Sequence, residues 1–317
     1  LTVTSACNST QFTANNINVL IGPIADFTFP SKNCVNTSIL FDNTTISGYN
    51  KNCTQESNFT WDFGDGTPKV YTNNSSPVDI THTYSLPGNY TVTLTVEGFC
   101  GKSEKIHQIC IDPAPVPAFT LDKTEGCAPL TVNTANTTNE ENVCGTTMAY
   151  EWRIASYTPG SCGTGESYTL TTSTGTSANN VSTLKNTTIN FLNPGTYTLT
   201  LTASNSCNPV TSQPRTIVVT APPTAVINPI TSICQTFPST IINPTAAVTN
   251  CGTSALIYEW SFPGGNPAAS TSANPGNIAY STAGNYTASL KVSNECGSVT
   301  TDKTFTINAT PIINNTI

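Results

Sequence analysis

The sequence predicts an all-β protein made of tandem sandwich modules, and three observations lead there. Several stretches alternate apolar and polar residues with period two, turn signals recur about every ten residues, and one block of motifs returns three times. In Tyr90-Thr-Val-Thr-Leu-Thr-Val96 the alternation puts Tyr90, Val92, Leu94 and Val96 on one face and threonines on the other, as in a half-buried strand. Tyr197 to Leu201 and Tyr286 to Val292 repeat the pattern. No segment sustains a helical period, and Thr, Val and Tyr favour strands.

The repeat sets the organisation. Leu, any residue, then Val or Ala, with Cys six residues after the Leu, occurs at Leu1 to Cys7, Leu94 to Cys100, Leu201 to Cys207 and Leu290 to Cys296. A Gly-x-Tyr turn precedes the last three, at Gly88/Tyr90, Gly195/Tyr197 and Gly284/Tyr286. Upstream of each stands a Cys followed by a Trp: Cys53 and Trp61, Cys144 and Trp152, Cys251 and Trp260. Another Cys, at Cys34, Cys127 and Cys234, opens an apolar strand, and each copy begins at a Pro-rich junction. We therefore expect modules at 25–113, 114–221 and 222–308. The last two strands of a preceding module would occupy 1–24, and the start of a following one 309–317. Both ends then lie mid-array, as in a piece of a longer repeat protein; exchange of lone strands between copies is the competing reading.

Composition narrows the function. Charged residues make up 9% of the chain, against roughly 25% in ordinary domains, so Thr, Ser and Asn carry the polar surface. A net charge of −7 with 11 basic residues in no run argues against nucleic acid. No run approaches the ~20 apolar residues of a membrane helix, so a soluble chain without membrane insertion is expected. Twelve Cys with two His and no CxxC pair fit disulfides better than zinc, which implies an oxidising compartment.

Candidate chemistry is sparse. Asp62 and Asp65 stand in a Gly turn where two carboxylates are too few for calcium, so backbone capping is expected. His82 and His107 have no nucleophile motif near them, and His82 reads as a packing residue beside Tyr84. Glu56, Glu125, Glu140, Glu141, Glu151, Glu166 and Glu259 are scattered, with no pair arranged for glycoside cleavage. Asn-x-Thr/Ser sites at Asn8, Asn36, Asn43, Asn58, Asn89, Asn136, Asn186 and Asn285 arise readily in so Asn- and Thr-rich a chain. No catalytic residue, cofactor or metal is expected.

Short strands with a Cys…Trp…Cys order match an immunoglobulin-like sandwich. Trp61-Asp-Phe-Gly-Asp-Gly66, His82-Thr-Tyr84 and Pro87-Gly-Asn-Tyr-Thr-Val-Thr-Leu94 closely resemble the signature of the polycystic-kidney-disease (PKD) domain. The later modules keep the Trp and the Gly-x-Tyr strand but read Trp152-Arg-Ile-Ala and Trp260-Ser-Phe-Pro, so full specificity is confined to Ala25–Asp112. The resemblance implies that Trp61, Trp152 and Trp260 lie in the cores. It also implies that Tyr90, Tyr197 and Tyr286 make the tyrosine-corner hydrogen bond.

In that topology the B–C and F–G loops share one end of a sandwich, and the A–B and C–C′ loops the other. The pairs so implied are Cys53–Cys100, Cys144–Cys207 and Cys251–Cys296 at the first end, and Cys34–Cys110 and Cys127–Cys162 at the second. Cys7 and Cys234 are left without an assigned partner. Each bond would contribute roughly 2 to 4 kcal/mol.

Cys-containing arrays of this kind are similar to secreted surface adhesins and filaments of Bacteroidota, including gliding adhesins exported by the type 9 system. That likeness implies a non-catalytic structural or adhesive segment of a large extracellular or cell-surface protein. Its partners would be neighbouring modules, surface polysaccharide or other copies in a filament. Spacer or carbohydrate-binding modules of a secreted hydrolase are the alternative.

Overall fold

The computed structural model describes residues 2–4, 6–7, 9–11, 21–48, 57–74, 76–140, 144–145, 147–178 and 181–311, and none of these is helical. Cys53, Glu56, Glu141 and Asn8 lie outside the described residues, as do 12–20 and 312–317, which hold most of the expected start of a following module. The chain forms two compact units. One comprises Leu1–Pro115, Glu140–Met148 and Ser204–Val210, the other Val116–Asn139, Ala149–Ala203 and Thr211–Ile317. The division cuts across the sequence repeat: two short segments of the second repeat, carrying Cys144 and Cys207, belong with the first.

In the first unit a three-stranded sheet (Phe27–Thr28, Ile39–Asn43, Ile80–His82) packs on a four-stranded one ordered Val70–Asn74, Ser57–Asp62, Gly88–Gly98, Gly101–Ile111. The alternation in Gly88–Gly98 does what period two requires: Val92, Leu94 and Val96 are buried and the threonines between them are not. They join Phe27, Phe41, Phe59, Trp61 and Phe63 in one core, where each large side chain contributes about 1.5–3 kcal/mol by burial. Phe27 meets the Trp61 ring edge-on at 5.0 Å, as Phe119 meets Trp152 at 5.0 Å in the second repeat. Thr2–Thr4 pairs antiparallel with Ser9–Gln11, and Cys7 lies between these two strands in sequence.

The second unit holds two sandwiches. In the second repeat, Glu125–Cys127, Arg215–Thr220, Gly195–Ser204 and Ala149–Pro159 form one sheet in that order, opposite a five-stranded sheet ordered Phe119–Leu121, Leu130–Asn136, Thr188–Phe191, Tyr168–Thr172, Gly175–Ala178. In the third, the sheet ordered Ile233–Cys234, Gly297–Asn308, Gly284–Asn294, Ile257–Ser261, Ala269–Ser270 faces two strand pairs across a core of Trp260, Phe262, Leu290 and Val292. The Trp152 and Trp260 side chains are buried.

Two features recur in all three sandwiches. Tyr90, Tyr197 and Tyr286 each donate a hydroxyl proton to the carbonyl four residues earlier, on Leu86, Asn193 and Thr282, at 2.9 Å in every case. Each first-strand cysteine also runs parallel to the end of the last strand: Cys34 opposite Asp112, Cys127 opposite Thr220, Cys234 opposite Asn308. This places the three cysteines at one structural position.

Candidate functional site

That position is where the chain cross-links. The structure contains Cys34–Cys207, Cys110–Cys144, Cys127–Cys296 and Cys162–Cys251, with Cα separations of 5.7, 5.5, 5.5 and 5.3 Å. Those separations suit the bond. Every one joins residues of successive repeats. The pairs expected within modules, Cys144–Cys207, Cys251–Cys296, Cys34–Cys110 and Cys127–Cys162, do not form. Strand direction brings each of those pairs to one end of a sandwich, but each sulfur reaches a cysteine of the adjoining repeat instead. Cys100 is disulfide-bonded, and the expected partner Cys53 lies outside the described residues. Cys234 is an exposed thiol.

Polar groups seat the incoming loops. At the first junction Asp112 is fully buried; its carboxylate accepts the Cys144 N–H at 3.0 Å and the Ser206 hydroxyl at 2.5 Å. Asn205 donates its side-chain amide to the Pro113 carbonyl at 2.8 Å, while its own Oδ1 accepts the Cys207 N–H at 2.8 Å. At the second junction Asn294 repeats both contacts, to the Ala221 carbonyl at 2.8 Å and from the Cys296 N–H at 2.9 Å. Thr220 takes the place of Asp112, with its hydroxyl 2.9 Å from Cys296 Sγ. Glu295, in the turn between Asn294 and Cys296, binds Thr253 and Ser254: it accepts their N–H groups at 2.6 and 3.1 Å and also their hydroxyls. The Ser254 hydroxyl first, then the Thr253 N–H, hold the Glu295 carboxyl down at about 2.

Asp112, Asn205, Asn294 and Glu295 were not singled out from sequence. The signal for the two asparagines is nevertheless there: Asn-x-Cys occurs at the same place in the second and third repeats, Asn205-Ser-Cys207 and Asn294-Glu-Cys296.

Other candidate groups are engaged locally. Asp62 Oδ1 accepts the Gly64 N–H at 3.1 Å and Oδ2 meets the Lys69 ammonium at 3.0 Å, which holds the carboxyl below its ordinary value. Burial alone would raise the Asp65 carboxyl, but bonds from Thr67 and from His82, 2.8 Å away, bring it below the ordinary value. Gly64 between them sits at φ +74° with the Thr91 carbonyl where a Cβ would go, so the turn admits no side chain there. His82 stacks on Phe63 at 3.9 Å, and the Tyr84 hydroxyl donates to the Phe63 carbonyl, so this motif braces the sandwich. Asn43 is buried with its amide bonded to Val78 and Thr45, which closes that glycan acceptor. Cys110, Asp112 and Cys144 place possible ligand atoms within 4.8 Å of one another, but sulfurs joined in a disulfide are not thiolate ligands.

A family model described as PKD domain matches residues 21–111 and 220–309, more than half of the chain. The chain belongs to the PKD domain family. No curated protein sequence matches it. Among solved structures, a three-Ig fragment of titin aligns at 13% identity over 92% of this PKD chain and 99% of its own, with a TM-score of 0.49. Three N-terminal domains of the bacteriophage RB49 highly immunogenic outer capsid protein align at 9% identity over 92% and 100%, with a TM-score of 0.31. The D00–D0 domains of intimin align at 15% identity over 62% and 99%, with a TM-score of 0.34. None reaches 0.5, and the fold assignment rests on the sheets and the family match. The disulfides and the family are those of an extracellular protein.

Proposed function

We propose that this chain is a non-catalytic structural and adhesive segment of a large secreted cell-surface protein. The observation that carries the reading is the pair of disulfides linking each repeat to the next. Such bonds add a covalent route in parallel with each single-chain linker. A surface protein that transmits force between a cell and its substratum gains from that route; a spacer beside a catalytic domain has little need of it. The few charges and the Thr- and Asn-rich surface suit salt-independent contact. The likeness to Cys-containing PKD arrays of Bacteroidota favours adhesion, surface motility or a filament, after export by the type 9 system. Neighbouring repeats, other copies and surface polysaccharide are the partners proposed.

Antibodies against the chain, applied to intact cells of the source, test this together with a strain lacking the gene. Surface labelling and a several-fold loss of attachment to glass are expected. Label confined to the culture fluid, tracking with a polymer-degrading activity, would replace this reading with modules of a secreted hydrolase.

A further inference from the structure

We infer that Cys234 is the acceptor of a third junction, taking the Asn-x-Cys turn of a further PKD repeat as a disulfide. The inference goes beyond the surface role and stands on internal comparison. Cys34, Cys127 and Cys234 occupy the same place, each parallel to the end of its sandwich's last strand, opposite Asp112, Thr220 and Asn308. At the first two places the bond goes to a cysteine two residues after an asparagine, Cys207 after Asn205 and Cys296 after Asn294. That asparagine donates to the carbonyl of the residue following the strand-end partner, Pro113 after Asp112 and Ala221 after Thr220. Ala309 follows Asn308, so the third place presents both halves of the receptor: a thiol and a carbonyl in the same register. Cys234 is exposed, as an acceptor open to solution must be. The third repeat has no counterpart of Cys110 or Cys162 at this end, so this junction carries one bond rather than two.

Bond formation joins two thiols with loss of two protons and two electrons. A low-molecular-weight disulfide such as oxidised glutathione accepts them and leaves as two thiols.

Two measurements test the inference. The first is a digest, under non-reducing conditions, of the protein isolated from its source. The Cys234 peptide should emerge joined to a peptide whose cysteine lies two residues after an asparagine. Recovery of Cys234 as a thiol, capped by glutathione, or joined to a cysteine in another context overturns the inference. In the second, the whole chain is equilibrated in glutathione buffer with a backbone-cyclised hairpin peptide containing the Ser293–Ser298 turn. Cys234 should take the peptide at least about ten-fold over glutathione at equal concentration, and Asn294→Ala in the peptide should abolish most of that preference. Equal capture of both peptides, or no preference over glutathione, sinks it. Both readouts are independent of whether the chain labels a cell surface.

Discussion

At the first junction the acid is buried and belongs to the receiving sandwich; at the second it is exposed and belongs to an incoming loop. Asp112 reaches outward to both loops of the second repeat, through the Cys144 N–H and the Ser206 hydroxyl. Glu295 instead ties its own loop to Thr253 and Ser254, so the segments bearing Cys296 and Cys251 are braced on each other within the third repeat. Sulfur positions and the asparagine contact are common to both junctions, while the remaining polar support differs. The difference teaches that the disulfides and Asn-x-Cys define the junction, and that the loops can be ordered either by the receptor or by themselves.

The largest test asks whether the two junctions are interchangeable as covalent links. Pulled from residues 21 and 311 with Cys100 replaced by Ser, which removes the further disulfide made there, the chain has a shortest covalent path of about 110 residues while the four bonds between repeats are intact. At 3.3–3.6 Å per residue this limits extension to about 40 nm. Replacing Cys34 and Cys110, or Cys127 and Cys162, by Ser leaves a path of about 120 residues, because the loops overlap. Only the loss of both junctions releases about 290 residues, or about 100 nm. Single-molecule force spectroscopy in that background should therefore show a large gain in total extension after full reduction and almost none for either double substitution alone. A large gain for one of the pairs would mean that the two junctions are not equivalent links.

Asp112 separates the junctions at the next scale. Asp112→Ala leaves the Cys144 N–H and the Ser206 hydroxyl without that acceptor in a buried place, at about 1–3 kcal/mol. Thr220→Val at the corresponding place removes one neutral hydroxyl, at about 1 kcal/mol or less. Urea unfolding with an unchanged slope would read the difference as a shift of midpoint. Equal shifts would mean that Asp112 adds nothing beyond what Thr220 supplies.

Much of this architecture was legible and the bonding was not, for a physical reason. Period-two alternation fixed which side of Tyr90–Val96 is core, and Trp61 with the Gly-x-Tyr turns marked the sandwiches. Strand direction even brought the eight cysteines of the four cross-links to sandwich ends. What it could not choose was the partner. Going from Cys34–Cys110 to Cys34–Cys207 about doubles the loop, and a doubling costs only about 0.6 kcal/mol of closure entropy. Chain entropy therefore barely prefers the local pair, and the packing of loops on the neighbouring repeat decides. Asp112 was hidden for a similar reason: an acid just before Pro113 reads as a turn residue until something is seen bonded to it. Glu295, in a hairpin turn, reads as a solvated surface charge.

Glu295 offers the smallest and most selective test, because its carboxyl is held down at about 2 while an unfolded Glu titrates near 4.5. A depressed acid contributes its stabilisation fully above the unfolded value and loses it as pH falls through the folded one. The Thr253 and Ser254 amides should therefore keep their hydrogen-exchange protection, after correction for intrinsic rates, down to about pH 4.5, then lose it progressively toward pH 2. Glu295→Gln should flatten that pH dependence, lowering protection at neutral pH, while leaving the Cys144 amide at the other junction unchanged. Parallel loss at Cys144 in the same variant would show that the brace is not local to the third repeat, and the contrast drawn between the junctions would fail.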